Sequence, residues 1–232
     1  MVTTEYTVVN EKLKGSHDIV MISDFHNVKK AMDISLKIAR DLYPEAVFVV
    51  GDLVDRHRKK YDLALAYLTE CVKIAPTFFS YGNHECSFEK ISRGAFEYTG
   101  AVVLRNEYTR FSFENGDEIL VGGHDPNASV YWMKDFENEH GFKLLMCHHP
   151  ENYLDRMMSM DIDLILSGHA HGGQIRIFGQ GVLAPGQGLL PKHTKGIFYN
   201  KFIVGTGISN TAGIIPRLGN PAEVVLIHLQ PA

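Results

Sequence analysis

The sequence predicts an α/β fold, built either from one mixed sheet or from two packed sheets, with helices on the outside. The main observation is that short apolar runs alternate with longer segments of helical periodicity along the chain. A second observation is composition, because 45% hydrophobic and 22% charged residues are typical of a globular protein. A chain of 232 residues can build one large core or two modest ones, and we expect a single domain over residues 1–232.

Five short apolar runs predict the buried strands. Each is partly β-branched or aromatic, which favours a strand over a helix. The predicted strands are residues 19–22, 46–50, 78–81, 144–146 and 164–166. Apolar spacing of three and four residues, with Pro44 and Pro76 as stop signals after the first two segments, predicts the helices. The predicted helices are residues 28–42, 61–74 and 89–98.

Two further patterns complete the predicted topology. Residues 111–113 and 119–121 are apolar and flank Asn115-Gly116, a dipeptide that is typical of a tight hairpin turn. From Gly172 onward glycine and proline are frequent, and we expect antiparallel strands there that end with residues 224–229.

Side chains that bind metal ions follow each of the five buried runs directly. Because ligands of open α/β sheets gather at the carboxyl ends of the strands, we expect these five ends to meet in one crevice. Glycine precedes Asp52, Asn83 and His169, which suits a backbone that turns sharply beside an ion. The five ends are Asp24-Phe25-His26, Gly51-Asp52, Gly82-Asn83-His84, His148-His149 and Gly168-His169-Ala170-His171.

The residue types indicate a particular kind of metal site. Imidazole, carboxylate and one amide oxygen suit divalent ions such as Mn²⁺, Fe²⁺ or Zn²⁺. Two carboxylates against two divalent ions and a bound hydroxide leave a net charge of about +1, which fits a singly charged phosphodiester. Seven candidate ligands are too many for one ion and suit two ions with a shared ligand: Asp24, His26, Asp52, Asn83, His148, His169 and His171.

These blocks resemble those of the calcineurin-like metallophosphoesterase superfamily. The order D-x-H, G-D-x-x-D, G-N-H-E, H and G-H-x-H spans Asp24 to His171. The resemblance implies a four-layer α/β/β/α sandwich of two mixed sheets flanked by helices, with the metal site at the carboxyl ends of the strands. Residues 168–174, 205–207 and 220–224 also resemble a bacterial subgroup of small phosphodiesterases that are often tied to membranes or lipids.

The resemblance also implies a role for each residue. Asp24, His26 and His171 would hold the first ion, Asn83, His148 and His169 the second, and Asp52 would bridge the two. His84 would be a general acid or an electrostatic clamp for the phosphate, with Asp55 orienting its ring and favouring its charged form. Arg56 would contact phosphate, although a solvated charge at a helix start explains it equally well. The proline at position 150 favours His148 over His149 as the ligand, and the role of His149 stays open.

The predicted function is therefore that of a binuclear metal-dependent phosphoesterase, most simply a phosphodiesterase. Two ions would lower the pKa of a bridging water, and the resulting hydroxide would attack the phosphorus of a phosphodiester or pyrophosphate-linked substrate. A phosphomonoesterase, including a protein phosphatase, is the alternative among enzymes. A noncatalytic metal-binding scaffold is the alternative of another class. Such a protein is expected to lack one or more ligands or the histidine at position 84, and this sequence lacks none of them.

Composition limits the partners. Lys+Arg 23 against Asp+Glu 27 gives a net charge of −4 and a pI near 6.3, which argues against strong nucleic-acid binding. Three cysteines at no pairing-like spacing favour a reducing, cytoplasmic setting, and no apolar run approaches the length of a transmembrane helix. We expect a small phosphoester substrate, with a lipid-linked or nucleotide-linked one and peripheral membrane contact left open. Residues 177–198 are interpreted as a packed surface loop, and the alternative is a loop that cradles an apolar part of the substrate.

Overall fold

A computed structural model describes residues 1–57, 61–87, 92–210 and 216–232. The helices are α1 (Lys29–Asp41), α2 (Tyr61–Val72), α3 (Asn83–Cys86), α4 (Arg93–Glu97), α5 (Met133–Asn138) and α6 (Pro150–Arg156). The strands are β1 (Val2–Val9), β2 (His17–Ile22), β3 (Ala46–Val50), β4 (Thr77–Ser80), β5 (Val102–Leu104), β6 (Glu107–Ser112), β7 (Glu118–His124), β8 (Phe142–Cys147), β9 (Leu164–Ser167), β10 (Arg176–Ile177), β11 (Gln180–Gly181), β12 (Leu183–Ala184), β13 (Gly188–Leu189), β14 (Gly196–Phe198), β15 (Phe202–Val204) and β16 (Glu223–Gln230).

The strands form two large mixed sheets. The first has the order β1-β16-β2-β3-β4-β5, and only the pairing of β16 with β2 is antiparallel among its described strands. The second has the order β14-β15-β9-β8-β7-β6, with parallel pairing in its centre and an antiparallel pair at each edge. Two small hairpins, β10–β11 and β12–β13, lie outside both sheets.

Alternation along the central strands places the two sheets face to face. In β2, Ile19 and Met21 belong to a core cluster shared with the second sheet, whereas Val20 and Ile22 pack with residues of α1 and α2. The second sheet is organised in the same way, because Leu164 and Leu166 of β9 join the shared cluster while Ile165 packs with residues of α5 and α6. Side chains of a strand point alternately to its two faces, so these clusters define four layers. The predicted α/β/β/α sandwich is confirmed.

All five predicted buried strands and the first two predicted helices are present, with ends shifted by a few residues. The third predicted helix, 89–98, lies partly outside the described residues, and α4 covers its described part. The hairpin is confirmed by the pairing of Phe111 with Ile119. The prediction of antiparallel strands after Gly172 holds for the hairpins and for the pairs β14–β15 and β16–β2. It is incomplete for β15 and β16, because each also pairs in parallel on its other side, with β9 and β1. No helix in the described part of the chain is both long and apolar enough to cross a bilayer.

Candidate metal centre

The loops that follow the buried strands bring the predicted ligands together. Five of the seven have a backbone φ between 45° and 63°, a region that residues other than glycine rarely occupy: Asp24, His26, Asp52, His169 and His171. Such conformations persist only where the surrounding structure enforces them, and they concentrate at functional sites. The shared backbone strain therefore marks these strand ends as one site.

Glycines next to the ligands allow the loops to approach one another closely. A Cβ on Gly82 would lie 2.3 Å from Asp52 Oδ1, and one on Gly168 would lie 2.7 Å from Asp24 Oδ2. A Cβ on Gly51 would lie 2.5 Å from His148 Nδ1. These separations are too short for any side chain, so the predicted need for glycine before the ligands is met at all three strand ends.

The ligand atoms form overlapping groups around two carboxylates. Asp52 Oδ2 lies 3.3 Å from His148 Nε2 and 3.8 Å from His26 Nε2. Asp24 Oδ1 lies 3.6 Å from His171 Nε2 and 3.8 Å from His26 Nε2. Within the described residues, candidate ligand atoms lie within 4.8 Å of one another in four groups: Asp24–His26–His171, Asp24–Asp52–His148, His26–Asp52–His84 and His148–His149–His169.

Burial makes the charge balance of this group decisive. Asp24, His26 and His148 have no exposed surface, and Asp52 is 1% exposed. Burial raises the pKa of each carboxyl, but the neighbouring histidines outweigh it and lower the pKa of Asp24 and, further, of Asp52. Both carboxylates are therefore ionised in the interior, where an uncompensated charge is strongly unfavourable.

The group has the chemistry of a divalent metal site. His148 Nδ1 lies 2.8 Å from the carbonyl oxygen of Val50, which fixes the ring, and its buried Nε2 faces Asp52 Oδ2 at 3.3 Å. Burial lowers the pKa of His148, but Asp52 outweighs this effect and raises the pKa to about 10. A proton on His148 thus competes with an ion for Nε2, and metal binding there would release that proton. Imidazoles around ionised carboxylates suit divalent transition metals.

Comparison with known proteins identifies the family. The family model for calcineurin-like phosphoesterases matches residues 17–173, about two thirds of the chain. The chain belongs to the calcineurin-like phosphoesterases. It is accordingly a metal-dependent hydrolase of phosphoric esters, and the suspected resemblance is confirmed.

Relatives of this phosphoesterase cover nearly its whole length. It is 29% identical to YkoQ, an uncharacterized metallophosphoesterase of Bacillus subtilis, over 89% of this chain and 81% of the relative. It is 26% identical to a metallophosphoesterase of Aquifex aeolicus over 97% of this chain and 90% of the relative. A solved dimetal phosphatase from Danio rerio shares the fold with a TM-score of 0.52, at 13% identity over 84% of this chain and 88% of that one.

His84 lies at the edge of the phosphoesterase centre, with its Nε2 3.9 Å from Asp52 Oδ2. Its Nδ1 accepts a hydrogen bond of 3.2 Å from the backbone N–H of Arg56, so the ring proton of neutral His84 is on Nε2. Burial lowers the pKa of His84, although Asp52 and Asp55 act in the opposite direction. His84 therefore presents a neutral N–H donor toward the centre.

Asp55 lies beside His84, and its expected role in orienting the ring remains a prediction. Asp55 Oδ1 lies 3.7 Å from His84 Nδ1 and accepts a hydrogen bond of 2.8 Å from the backbone N–H of His57. The carboxylate thus stabilises the turn whose Arg56 N–H contacts the ring, and burial outweighs its tendency to favour the charged ring. The Arg56 side chain is exposed, and its Nε donates a hydrogen bond to His57 Nε2. Phosphate contact by Arg56 remains a prediction.

Glu85 supports the bridging position and was not singled out from the sequence. Its Oε2 accepts hydrogen bonds from the backbone N–H groups of Asp52 at 2.9 Å and Gly82 at 2.7 Å, and its Oε1 accepts one from Val54 at 2.8 Å. Burial and the nearby Asp52 raise the pKa of Glu85 to about 7, against these hydrogen bonds. The last residue of the G-N-H-E block therefore holds the loop of Asp52 in place.

Residues near the carboxyl terminus support the first group of ligands. Arg217 Nη2 lies 3.3 Å from His171 Nδ1 and donates hydrogen bonds to the carbonyl oxygens of Thr206 and Ser209. Asn220 Nδ2 donates a hydrogen bond of 2.6 Å to the carbonyl oxygen of His171. Neither residue follows one of the five predicted strands that carry candidate ligands. Their contacts with His171 become visible only in the folded chain.

Proposed function

We propose that this phosphoesterase is a two-metal phosphodiesterase. The observation that carries the proposal is the position of Asp52, which lies in two of the four groups of candidate ligands and within 4 Å of His26, His84 and His148. A carboxylate in that position can serve two ions at once. Asp24, His26 and His171 would hold one ion, and Asn83, His148 and His169 would hold the other.

The residues of the centre have separate tasks in this proposal. Two divalent ions, when bound, supply an activated water at neutral pH and a clamp on the phosphate oxygens. The Ser23 hydroxyl and the backbone N–H of His169 donate hydrogen bonds to the Asp24 carboxylate. The backbone N–H of His84 donates one to the Asp52 carboxylate. The Nε2–H of His84 would donate a proton or a hydrogen bond to the leaving oxygen. Arg56 would contact a phosphate oxygen from the exposed side.

A substrate with one negative charge on phosphorus fits this set of groups best. Besides the ions, the proposed phosphate contacts are His84, which is neutral, and Arg56, which is the only guanidinium among them. A phosphomonoester carries a second negative charge and would gain from more cationic contacts. The diester is therefore the preferred substrate class.

The direct test is hydrolysis of bis-p-nitrophenyl phosphate beside p-nitrophenyl phosphate by metal-stripped protein to which Mn²⁺, Fe²⁺ or Zn²⁺ is returned. We expect metal-dependent turnover of the diester and two bound ions per chain. Asp52→Asn keeps the size of the side chain and should lower turnover at least about 10³-fold with loss of bound metal, because the shared ligand is weakened. Preference for the monoester would support the phosphatase alternative, and two bound ions without turnover of either ester would support a scaffold.

We further propose that an exposed apolar surface beside the centre binds the rest of the substrate. The interpretation of residues 177–198 as a packed loop holds only in part: Ala184 joins a core cluster, whereas the small hairpins leave large side chains in solvent. Phe178, at the turn between β10 and β11, is fully exposed, and Leu189 is 77% exposed. We call the exposed set the apolar rim, which consists of Ile177, Phe178, Leu183, Leu189, Leu190 and Leu218.

The apolar rim is continuous along the backbone and lies close to the centre. The backbone N–H of Arg176 donates a hydrogen bond to the carbonyl oxygen of Leu218. The N–H of Leu190 donates one to the carbonyl oxygen of Val182, and the N–H of Val182 donates one to the carbonyl oxygen of Ile175. On the inner side, a Cβ on Gly186 would lie 2.1 Å from Glu151 Oε1, which in turn lies 3.8 Å from His169. A group bound on the rim would therefore be near the metal ligands.

The chain segment that carries the apolar rim has a positive formal charge, although Lys195 pairs with Glu223. Residues 164–222 contain no aspartate or glutamate, although the chain has 27 acidic residues, and they contain five basic ones: Arg176, Lys192, Lys195, Lys201 and Arg217. Exposed apolar side chains within a basic segment are typical of protein surfaces that bind anionic lipids. We therefore propose a lipid-linked phosphodiester, reached by peripheral contact of the apolar rim with an anionic membrane.

Cosedimentation with vesicles tests this part of the proposal separately from catalysis. We expect binding to vesicles of phosphatidylcholine with phosphatidylglycerol, weaker binding to phosphatidylcholine alone, and release by salt. The double variant Phe178→Ser/Leu189→Ser should lose the binding, whereas Tyr43→Ser/Tyr98→Ser, which removes equally exposed aromatic rings elsewhere, should keep it. Equal binding by the two variants, or no binding by the wild type, would exclude the lipid and leave a nucleotide-linked diester.

A further inference from the structure

His149 lies among the candidate ligands of the second ion. It follows the proposed ligand His148 at the end of β8, and its Nε2 lies 3.0 Å from Asn83 Oδ1. Its ring stacks on that of His169, with 3.9 Å between the ring centroids. A ligand atom of His149 lies within 4.8 Å of those of His148 and His169. His149 is thus as close to this group as the predicted ligands are to one another.

Glu151 occupies the other side of the same ring. Its Oε1 lies 3.5 Å from His149 Nδ1 and 3.8 Å from His169 Nε2. A carboxylate at that distance favours the proton on Nδ1 of His149, as carboxylates do for histidines that bind metals. The lone pair of His149 Nε2 then points toward the centre. Among the described residues, the buried Glu151 Oε2 has no hydrogen-bond partner.

The separation of His149 Nε2 from Asn83 Oδ1 suits a direct hydrogen bond when the proton is on Nε2, and a shared cation when the proton is on Nδ1. With the Nδ1 tautomer, Nε2 of His149 and Oδ1 of Asn83 are both acceptors, and two acceptors 3.0 Å apart repel each other unless a cation lies between them. Two ligand atoms at about 2.1 Å from one ion and at a right angle lie about 3 Å apart. For the Nδ1 tautomer, the observed separation is that of neighbouring ligands on a single ion.

We propose that His149 is a further ligand of the second ion, beside Asn83, His148 and His169, and that Glu151 positions its ring. The proposal rests on the two-ion function proposed above. It makes the two halves of the centre chemically unequal. The second ion has three imidazoles, an amide and the shared carboxylate, whereas the first has two imidazoles and two carboxylates.

This difference predicts selectivity between metals. Imidazole ligands suit Zn²⁺ and Fe²⁺, whereas carboxylate-rich sites suit Mn²⁺ and Mg²⁺. When apoprotein is offered equal amounts of Zn²⁺ and Mn²⁺, we expect zinc to occupy the second site first. Loss of one imidazole should reduce that preference.

The test uses metal binding as the readout. Apoprotein is titrated with Co²⁺, whose visible absorption reports the number and type of ligands, and with Zn²⁺ in competition with a chelator. We expect two ions per wild-type chain. His149→Ala should change the absorption of one ion and weaken its Zn²⁺ binding at least about tenfold, and Glu151→Gln should weaken the same ion by a smaller factor. His193→Ala, which removes an imidazole from the hairpin region, is the matched control.

The outcomes separate this inference from the function on which it rests. Fewer than two ions on the wild type would overturn both. Two ions on the wild type, with identical spectra and Zn²⁺ affinity for His149→Ala, would overturn the role of His149 alone. Circular dichroism confirms that each variant is folded, and Glu151→Gln provides an independent reading if His149→Ala does not fold. Unchanged Zn²⁺ affinity in a folded Glu151→Gln would overturn its positioning role.

Discussion

The metal centre and the apolar rim lie side by side but are built in opposite ways. The candidate ligands of the centre come from five strand ends in both sheets, and Asp24, His26 and His148 are completely buried. The rim comes mostly from two hairpins within fifteen residues, 176–190, and its side chains face solvent. Strained loops, close glycines and buried hydrogen bonds hold the ligands of the centre in one geometry. The rim shares some of these backbone features, such as the positive φ of Phe178 and Leu190, but its large side chains are exposed instead of buried. In the proposed function, the centre carries out hydrolysis and the rim selects the substrate.

If the centre alone carries the chemistry, the largest loss of turnover is expected on substitution of His84. His84→Ala removes the proposed proton donor and should lower kcat for the diester by about 10²–10⁴-fold, while both ions stay bound. Steady-state kinetics and metal analysis on the same preparation provide the measurement, with His57→Ala as a neighbouring control. Loss of metal from the His84 variant would show that His84 is a ligand and would contradict its proposed role.

A smaller effect is expected at Glu85, which supports the centre without contacting the substrate. Glu85→Gln replaces one oxygen that accepts backbone hydrogen bonds with an NH₂ group, and should lower the free energy of unfolding by about 1–3 kcal/mol. Because Asp52 is in the same loop, metal affinity should fall as well. Denaturant unfolding and metal titration measure the two effects. A variant with reduced stability but unchanged metal affinity would show that the loop keeps its geometry without this contact.

Asp117 allows a test of fold stability at a site outside both the metal centre and the apolar rim. Its Oδ2 accepts hydrogen bonds from the N–H groups of Lys14 and Gly15 and lies 3.0 Å from His17 Nε2. Burial raises the pKa of Asp117, but these contacts outweigh it and lower the pKa below the usual 3.8. The ionised carboxylate therefore stabilises the fold at neutral pH, and this contribution disappears as the pH falls below about 3.8 through the folded pKa.

Asp117→Asn should accordingly cost about 1–3 kcal/mol in the free energy of unfolding at neutral pH, with a smaller difference from the wild type in acid. Turnover of the diester should not change. Urea unfolding at several pH values measures the difference. A difference that is constant down to pH values well below 3.8 would show that the charge of Asp117 has no part in it.

The smallest effect is expected for the rim variant on a small substrate. Phe178→Ser/Leu189→Ser should change kcat/KM for bis-p-nitrophenyl phosphate by less than about twofold, because the proposal assigns the rim to the lipid part that this small substrate lacks. The same variant should lose vesicle binding. A large fall in turnover of the small diester would break the proposed separation, since it would show that the hairpins also shape the centre.

Much of the fold was predictable because its central strands carry a local signal. The runs at 19–22, 46–50, 78–81, 144–146 and 164–166 are apolar on both faces, as expected for strands covered on both sides. The edge strand β1 gives no such signal, because its exposed face is rich in threonine and glutamate. It is a strand because it pairs with β16, more than two hundred residues away. Pairing between such distant segments cannot be inferred from either one alone.

The same distinction applies to the exposed hairpins. The apolar residues between 177 and 190 predict burial by composition, and a packed loop is the usual outcome. Two-residue strands, however, cannot bury both faces of a hairpin, and no layer of the described structure covers them. Whether an apolar side chain is buried depends on what packs against it, which is a property of the whole fold.

The sequence by itself determined the fold class and the residues of the centre, because metal-ligand side chains follow five buried strands and parallel strands bring their carboxyl ends together. Only the tertiary structure decided that Glu85 holds the Asp52 loop, that Arg217 and Asn220 contact His171 and that His149 lies against Asn83. The physical reason is range. Periodicity and ligand chemistry act over a few residues, whereas these contacts join residues 33 to 66 positions apart.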